Sequence, residues 1–327
     1  MNPHHGSIVL VMELVLPLST ITRKHVQIAG GKGASLGEML SAGIHVPPGF
    51  VITSTCFQNF LEETGLLGRI QELICTTSLH DHEALAQTSE EIRGLITEAP
   101  VPDVIFEAID TAFSQLGSDY VAVRSSATAE DGAHASWAGE LESYLNTSQE
   151  DLHTKIKLCW ASLFTPRALL YQATCDPEHT QVQVAIVVQK MIESEVSGIA
   201  FSVHPISENT DHMVLEAGYG LGEAIVSGAV TPDTYVVSKS SEELVTEYVG
   251  NQSRQLVMGD HGGNIWVEVA EELRSQPKLR PDQIHELAQL ILRIERHYGF
   301  PCDVEWALQD DSLYVVQSRP ITTLHHR

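Results

Sequence analysis

The chain has 327 residues, carrying 19 Lys and Arg against 43 Asp and Glu for a net charge of −24. At roughly 150 residues per domain that length suits about two domains or one large two-lobed one. A field of that sign repels nucleic acid and anionic membranes, so any cations that serve an anionic ligand must be few and locally concentrated. The five cysteines, Cys56, Cys75, Cys159, Cys175 and Cys302, are odd in number and form no C-x-x-C pair. They argue against both a disulfide framework and a zinc site, and they suit a reducing cytoplasm.

In chain order, Ile8 to Leu18 is apolar enough to resemble a signal-peptide core, but Glu13 and Pro17 interrupt it and no Lys or Arg precedes it. It is expected to be an N-terminal extension running into a first strand, with Met12 an alternative start. No run reaches the roughly 18 apolar residues of a membrane span. Ile28 to Leu40 places Gly30-Gly31-Lys32-Gly33 at a turn entering a helix, a junction that offers free N–H groups to an anion. The segment fits neither a P-loop nor a G-x-G-x-x-G dinucleotide pattern. A Pro47-Pro48-Gly49 turn follows, then helical patterns to about residue 116.

Strands dominate the remainder. Tyr120 to Arg124 reads as a buried strand ending in a small polar loop, Ser125 to Thr128, and Val182 to Met191 is the strongest strand pattern in the chain. A strand from Met213 runs into the glycine turn Gly218-Tyr219-Gly220-Leu221-Gly222, a strand resumes at Tyr235 to Val237, and Ser240 to Glu247 resembles a loop insertion. Pro281 to Tyr298 has Ile284, Leu287, Ala288, Ile291 and Ile294 at helical spacing.

The last two strands, Cys302 to Ala307 and Leu313 to Pro320, form a predicted hairpin. Alternation puts Asp303 and Glu305 on one face of the first strand, and Gln317 and Arg319 on one face of the second. Hard oxygen ligands suit Mg²⁺ and a guanidinium suits phosphate, so the hairpin reads as a Mg-nucleotide site; a solvated polar face is the other reading. Glu305 and Gln317 can share a metal if they pair, which requires an odd-numbered loop centred on Asp311, of three or five residues. A two-residue Asp310-Asp311 turn, disfavoured because neither residue is Gly, sends Gln317 to the opposite face.

Four motifs in order, Gly30 to Glu38, Val123 to Asp131, Glu216 to Glu223 and the hairpin, resemble the N-terminal ATP-binding domain of the phosphoenolpyruvate synthase, pyruvate phosphate dikinase and rifampin phosphotransferase family. The resemblance extends from Leu16 to Leu324, and the closing Gln317 to Leu324 looks more like the rifampin phosphotransferases. It implies an α+β ATP-grasp fold with two lobes clamping ATP, residues 16–190 and 191–327, after an extension over 1–15. It implies cleavage of ATP to AMP and phosphate, with the β-phosphoryl passing to a histidine on a separate domain. Lys32 and Arg124 would hold phosphates under the Gly139 loop, Gln189, Lys190, Met191 and Ile192 would border the adenine, Glu305 and Gln317 would hold Mg²⁺, and Arg319 the transferring phosphoryl group. Such chemistry needs a charge clamp more than a protein base.

Alternatives remain for single residues. Lys32 could cap a turn, and Arg124 could be a structural ion-pair partner. Glu216 and Glu223 could meet the ribose or a second metal, or cap a helix in solvent. Trp137 stands where the family has Phe, and Glu140-Leu141-Glu142 where synthases have Gln-Gln-Asp/Glu. His134 and His204 do not lie in a Thr-Ser-His-Ala-type phosphohistidine segment, which this sequence lacks. The expected partner is therefore a histidine domain acting in trans or lost by truncation, in a cytoplasmic protein that binds neither nucleic acid nor membrane. An ATP-sensing module without phosphoryl transfer is the alternative function.

Overall fold

The computed structural model describes residues 14–78, 81–128, 142–175 and 183–322. The fold is mixed α+β with antiparallel sheets. Two compact units form: one takes the described residues up to Glu38 and from Pro48 to Met191, the other Met39–Pro47 and the residues from Ile192 onward.

The first unit contains β1 (Val15–Pro17), α1 (Val26–Ser41, continuing into the second unit), β2 (Gly49–Ile52), α2 (Ser54–Glu63), α3 (Leu66–Thr76), α4 (His82–Glu98) and α5 (Asp103–Leu116). It continues with β3 (Val121–Ala127), β4 (Ser143–Thr147), α6 (Gln149–Ser162), α7 (Pro166–Cys175) and β5 (Val184–Lys190). The predicted helical run to residue 116 is therefore present. All neighbours in its sheet, ordered β1-β2-β5-β3-β4, are antiparallel. One face supplies Phe50, Ile52, Val121, Val123, Ile186 and Val188 to a core shared with α2 to α7. Trp160, wholly buried, stacks there on Phe57 and Phe60 with ring centroids 5.4 and 4.8 Å away. The other face carries Val51, Ala122, Arg124, Ser126, Val187 and Gln189, and α1 lies on it. Gly33 permits that approach, because a Cβ there would stand 3.1 Å from Val51 Cγ2.

The polar loop expected at Ser125 to Thr128 is strand as far as Ala127. Ser125, Ser126 and Ala127 go on pairing with Ile186, Ala185 and Val184. Internal bonds, such as Ser125 Oγ donating to Cys159 O at 3.3 Å, let small polar residues lie buried in a strand.

The second unit contains β6 (Val196–Phe201), β7 (His212–Tyr219), α8 (Glu223–Val226), β8 (Asp233–Ser238), β9 (Leu244–Tyr248), β10 (Arg254–Met258), β11 (Asn264–Glu268), α9 (Pro281–Tyr298), β12 (Cys302–Gln309) and β13 (Ser312–Pro320). Its antiparallel six-stranded sheet runs β13-β12-β6-β7-β8-β9, with β10-β11 as a separate pair. α9 has the bounds its periodicity predicts, entering on Pro281 and leaving through Gly299 at φ 75°. It packs on β12 and β7, and Cys302, Val304, Trp306, Met213 and Leu215 are buried on that side of the sheet. The expected Ser240 to Glu247 insertion is corrected: its second half belongs to β9, an exposed edge strand whose two solvated faces leave no apolar alternation.

One ion pair ties this unit's loops to its sheet. Lys278 Nζ lies 2.8 Å from Asp233 Oδ1, with both side chains at 0 % exposure. Asp233 also accepts from Gly250 N at 2.8 Å, Lys278 N at 2.7 Å and Tyr235 OH at 2.8 Å. Lys278 Nζ in turn donates to Gly250 O at 2.6 Å. Breaking a buried pair strands the remaining charge, at a cost of about 3–5 kcal/mol. Lys278→Met is expected to lower the unfolding free energy of the chain by about 3 kcal/mol or more, read as a fall in the urea midpoint at unchanged slope; a shift within error of wild type would contradict this role.

Candidate functional site

In the first unit α1 is interrupted at Gly30, whose φ of 67° and ψ of 175° are not helical. Lys32 stands in the first turn beyond the break and its Nζ donates to Ser125 O at 3.0 Å. Arg124 lies in the middle of β3, not at its end as the sequence suggested, paired with Val187 of β5 and Ser143 of β4 and partly buried. Strand alternation puts it on the face that α1 covers, together with Ser126. Gln189 is on that face too, 1 % exposed, between Ala122 and Gly49. Lys190 closes β5 in solvent, and the Met191 amide donates to Tyr120 O at 3.3 Å. Ile192 is buried and opens the second unit. Gly139, Trp137, Glu140 and Leu141 lie outside the described residues.

In the second unit the hairpin has the expected pairing by an unexpected route. Gln309 pairs with Ser312, so Asp310 and Asp311 form a two-residue turn, with φ of 49° and 56°. The three- or five-residue loop is thus corrected. Aspartate tolerates the left-handed region better than most side chains, and Asp311 Oδ1 is held by Arg280 Nη2 at 3.0 Å and Gln283 Nε2 at 3.1 Å. That turn alone would face Val316 against Glu305. A β-bulge intervenes: Trp306 pairs with Val315, while Glu305 pairs with Gln317 and Asp303 with Arg319. Val316 is the extra residue, and it restores Gln317 to the face of Glu305.

That face is the one turned away from α9. Arg319 Nε and Nη2 both donate to Asp303 Oδ2 at 2.8 Å. Across the sheet Glu305 is opposite Ile199, and Glu216 of β7 lies on the same side, half-buried. Burial raises the Glu216 pKa above the usual glutamate value, and the Asp303 charge raises it further. The sequence pattern places Asp303 beside Glu305 on the Mg-nucleotide face, while the resemblance gives it no role of its own. Its pairing with Arg319 follows once Glu305 is matched to Gln317. Glu223 accepts from Asn264 Nδ2 at 2.7 Å, a contact that ties α8 to β11. Among the described residues, no three His, Cys, Asp or Glu side chains gather closely enough to hold a metal ion. A cation on Glu305 and Gln317 would have one carboxylate and one amide oxygen, which suits an ion that keeps several waters.

Residues 26–327 match the family described as the pyruvate phosphate dikinase AMP/ATP-binding domain. The chain belongs to that family. A probable phosphoenolpyruvate synthase of Methanocaldococcus jannaschii is 45 % identical over 320 residues, 96 % of this chain and 27 % of that protein. A probable phosphoenolpyruvate synthase of Methanothermobacter thermautotrophicus is 44 % identical, covering 91 % of this chain and 44 % of its own length. The phosphoenolpyruvate synthase of Pyrococcus furiosus is 38 % identical, covering 93 % and 43 %. The chain therefore spans less than half the length of these relatives.

Among the described residues no helix is long and apolar enough to cross a membrane. Cys56, Cys75, Cys159 and Cys302 are free, and burial pushes the Cys159 and Cys302 thiols up to about 12. Neither thiol is poised as a thiolate.

In this pyruvate phosphate dikinase-type domain the raised Glu216 pKa has a sign that can be tested. Folding favours its protonated form, so the charged form opposes folding above the folded-state pKa, and the penalty disappears as pH falls below the unfolded value. Glu216→Gln is expected to raise the melting temperature at neutral pH, with the gain shrinking as pH falls through the carboxylate range. A gain that stayed constant with pH, or a loss at neutral pH, would contradict the stated cause.

Proposed function

We propose that the chain is an ATP-grasp-type domain that binds Mg-ATP and passes the β-phosphoryl group to a histidine carried on another domain or chain, leaving AMP and phosphate. The observation that carries this is the hairpin register, which puts Glu305, Gln317 and Arg319 on one sheet face in a chain of the AMP/ATP-binding family. In this proposal Lys32 and Arg124 hold phosphate oxygens, with Gly139 covering them. Gln189, Lys190, Met191 and Ile192 border the adenine, and Glu216 contributes to nucleotide binding. Arg319 orients the phosphoryl group in flight, giving up Asp303 for it.

Glu305 and Gln317 offer a carboxylate and an amide oxygen, hard donors that fit Mg²⁺. When bound, that ion neutralises charge on the polyphosphate. The protein's own part would be charge neutralisation: Lys32, Arg124 and Arg319 would offset charge that spreads over phosphoryl oxygens, the main demand of such transfers. The relatives' names favour phosphoenolpyruvate synthesis over rifamycin phosphorylation as the final reaction.

The chain is expected to bind ATP in calorimetry with Mg²⁺ present, to lose most of that affinity with EDTA, and to release AMP at speed only when a histidine domain is supplied. Failure to bind Mg-ATP would sink the proposal. Arg319→Ala and Glu305→Ala should each slow phosphoryl transfer to a supplied phosphoenolpyruvate synthase histidine domain by about 3 kcal/mol, of order a hundredfold; the melting temperature of Glu305→Ala should stay close to wild type, while that of Arg319→Ala should fall because the poorly exposed Asp303 carboxylate loses its partner. Wild-type transfer rates in both variants would remove these residues from the site.

A further inference from the structure

In an unbroken α-helix the amide of residue 33 donates to the carbonyl of residue 29. In α1 a side chain from β3 stands inside that bond. Gly33 N donates to Ser126 Oγ at 3.2 Å, and Ser126 Oγ donates to Ala29 O at 2.9 Å. A hydroxyl has one donor and two acceptor sites, so one oxygen satisfies both ends of the opened helical bond. Ser126 and Ala29 are each 0 % exposed, a setting where an unpaired backbone group is costly. A side chain inserted into the helical ladder is one of the few established causes of a sharp kink.

Two further observations tie this insertion to the break and to Lys32. A Cβ on Gly30 would lie 2.2 Å from both Ser126 O and Ser126 Oγ. The strand can come this close only because residue 30 is glycine at positive φ. Lys32 lies inside the opened turn, between the two backbone groups that Ser126 joins, and its Nζ donates to the carbonyl of the adjacent residue, Ser125, at 3.0 Å. The backbone that carries the ammonium and the carbonyl that holds it are therefore both fixed by the end of β3.

We propose that Ser126 is a positioning residue for Lys32: its inserted hydroxyl holds α1 open at Gly30 and sets the direction from which the Lys32 ammonium reaches a phosphate. This rests on the assignment of Lys32 to ATP made above. Without the hydroxyl, Ala29 O and Gly33 N can close directly on each other as in an ordinary helix. Both groups remain satisfied, while the turn bearing Lys32 is drawn in.

A double-mutant cycle tests this on the whole chain, with Mg-ATP affinity measured by calorimetry for wild type, Ser126→Ala, Lys32→Met and the double variant. Ser126→Ala is expected to weaken Mg-ATP about tenfold in the wild-type background and less than about twofold in the Lys32→Met background, because a residue that acts through Lys32 has nothing left to position once Lys32 is gone. A merely structural role would weaken binding equally in both backgrounds. Wild-type affinity in Ser126→Ala, or a loss that persists undiminished beside Lys32→Met, overturns the positioning role alone. Wild-type affinity in Lys32→Met overturns the assignment of Lys32 to ATP, and the positioning role with it. Should Ser126→Ala not fold, Ser126→Cys, close in volume but a poor donor and acceptor, takes its place in the cycle with the same expected pattern.

Discussion

The side chains on the open face of the second unit are selected by one bulged residue. The turn at Asp310 and Asp311 has no spare residue with which to slide β13 along β12, so strict alternation from Gln309 and Ser312 would direct Gln317 into the packed side of the sheet. Val316 breaks the alternation once. On one side of it Val315 remains buried opposite Trp306, and on the other Gln317 and Arg319 join Glu305 and Asp303. The turn itself is anchored, because Asp311 is held by Arg280 and Gln283 at the start of α9. On the outer edge of β13, Val315 N donates to His45 O at 2.9 Å and the Tyr314 ring packs, tilted, against the His45 ring with centroids 4.1 Å apart. A register that depends on one residue is thus braced at the turn and again directly before the bulge.

Both units use close backbone approach where their glycine motifs turn. Gly30 admits β3 against α1. In the second unit, Gly220 at φ 83° admits the β10 backbone, since a Cβ there would lie 2.4 Å from Leu256 O. Gly220 O is held by Ser194 and Ser197, and Tyr219 is gripped through its N–H and C=O by the buried Gln252 amide at 2.8 and 3.0 Å. The glycine turn after β7 is therefore tied on both its carbonyl and amide groups to neighbouring side chains.

Much of this was legible in the sequence where a single period ruled. The 3.6-residue pattern located α9 to the residue, and continuous apolar character located β5. The pairing of Glu305 with Gln317 followed from the oxygen ligands sharing a face, yet the means did not: a bulge has no sequence signature apart from the register it restores, and two aspartates at positive φ run against the preference for glycine. Ser125 and Ser126 resembled a loop because their polarity is visible in the sequence while their partners, Cys159, Ala29 and Gly33, are distant in it. β6 and the β10-β11 pair had no alternation strong enough to notice. β9 was concealed by solvent on both faces.

The charge on the open face explains why a phosphate ligand and a cation would arrive together in the proposed function. Asp303, Glu305 and Glu216 share that face with the Arg319 guanidinium, whose side chain is 48 % exposed. The Arg319 guanidinium is half in solvent, which offsets much of what it loses on leaving Asp303, so Arg319 can exchange the carboxylate for a phosphate at small cost to itself. The larger cost falls on Asp303, which is only 11 % exposed and already raises the Glu216 pKa. Once its partner turns to phosphate, the excess negative charge on the face grows, and a divalent cation beside Glu305 and Gln317 offsets it. Conversely, a cation on Glu305 and Gln317 would weaken the hold of the face on Arg319 and free it for the anion. In the proposed function phosphate and metal affinity would then be linked through Asp303, each ligand strengthening the hold on the other.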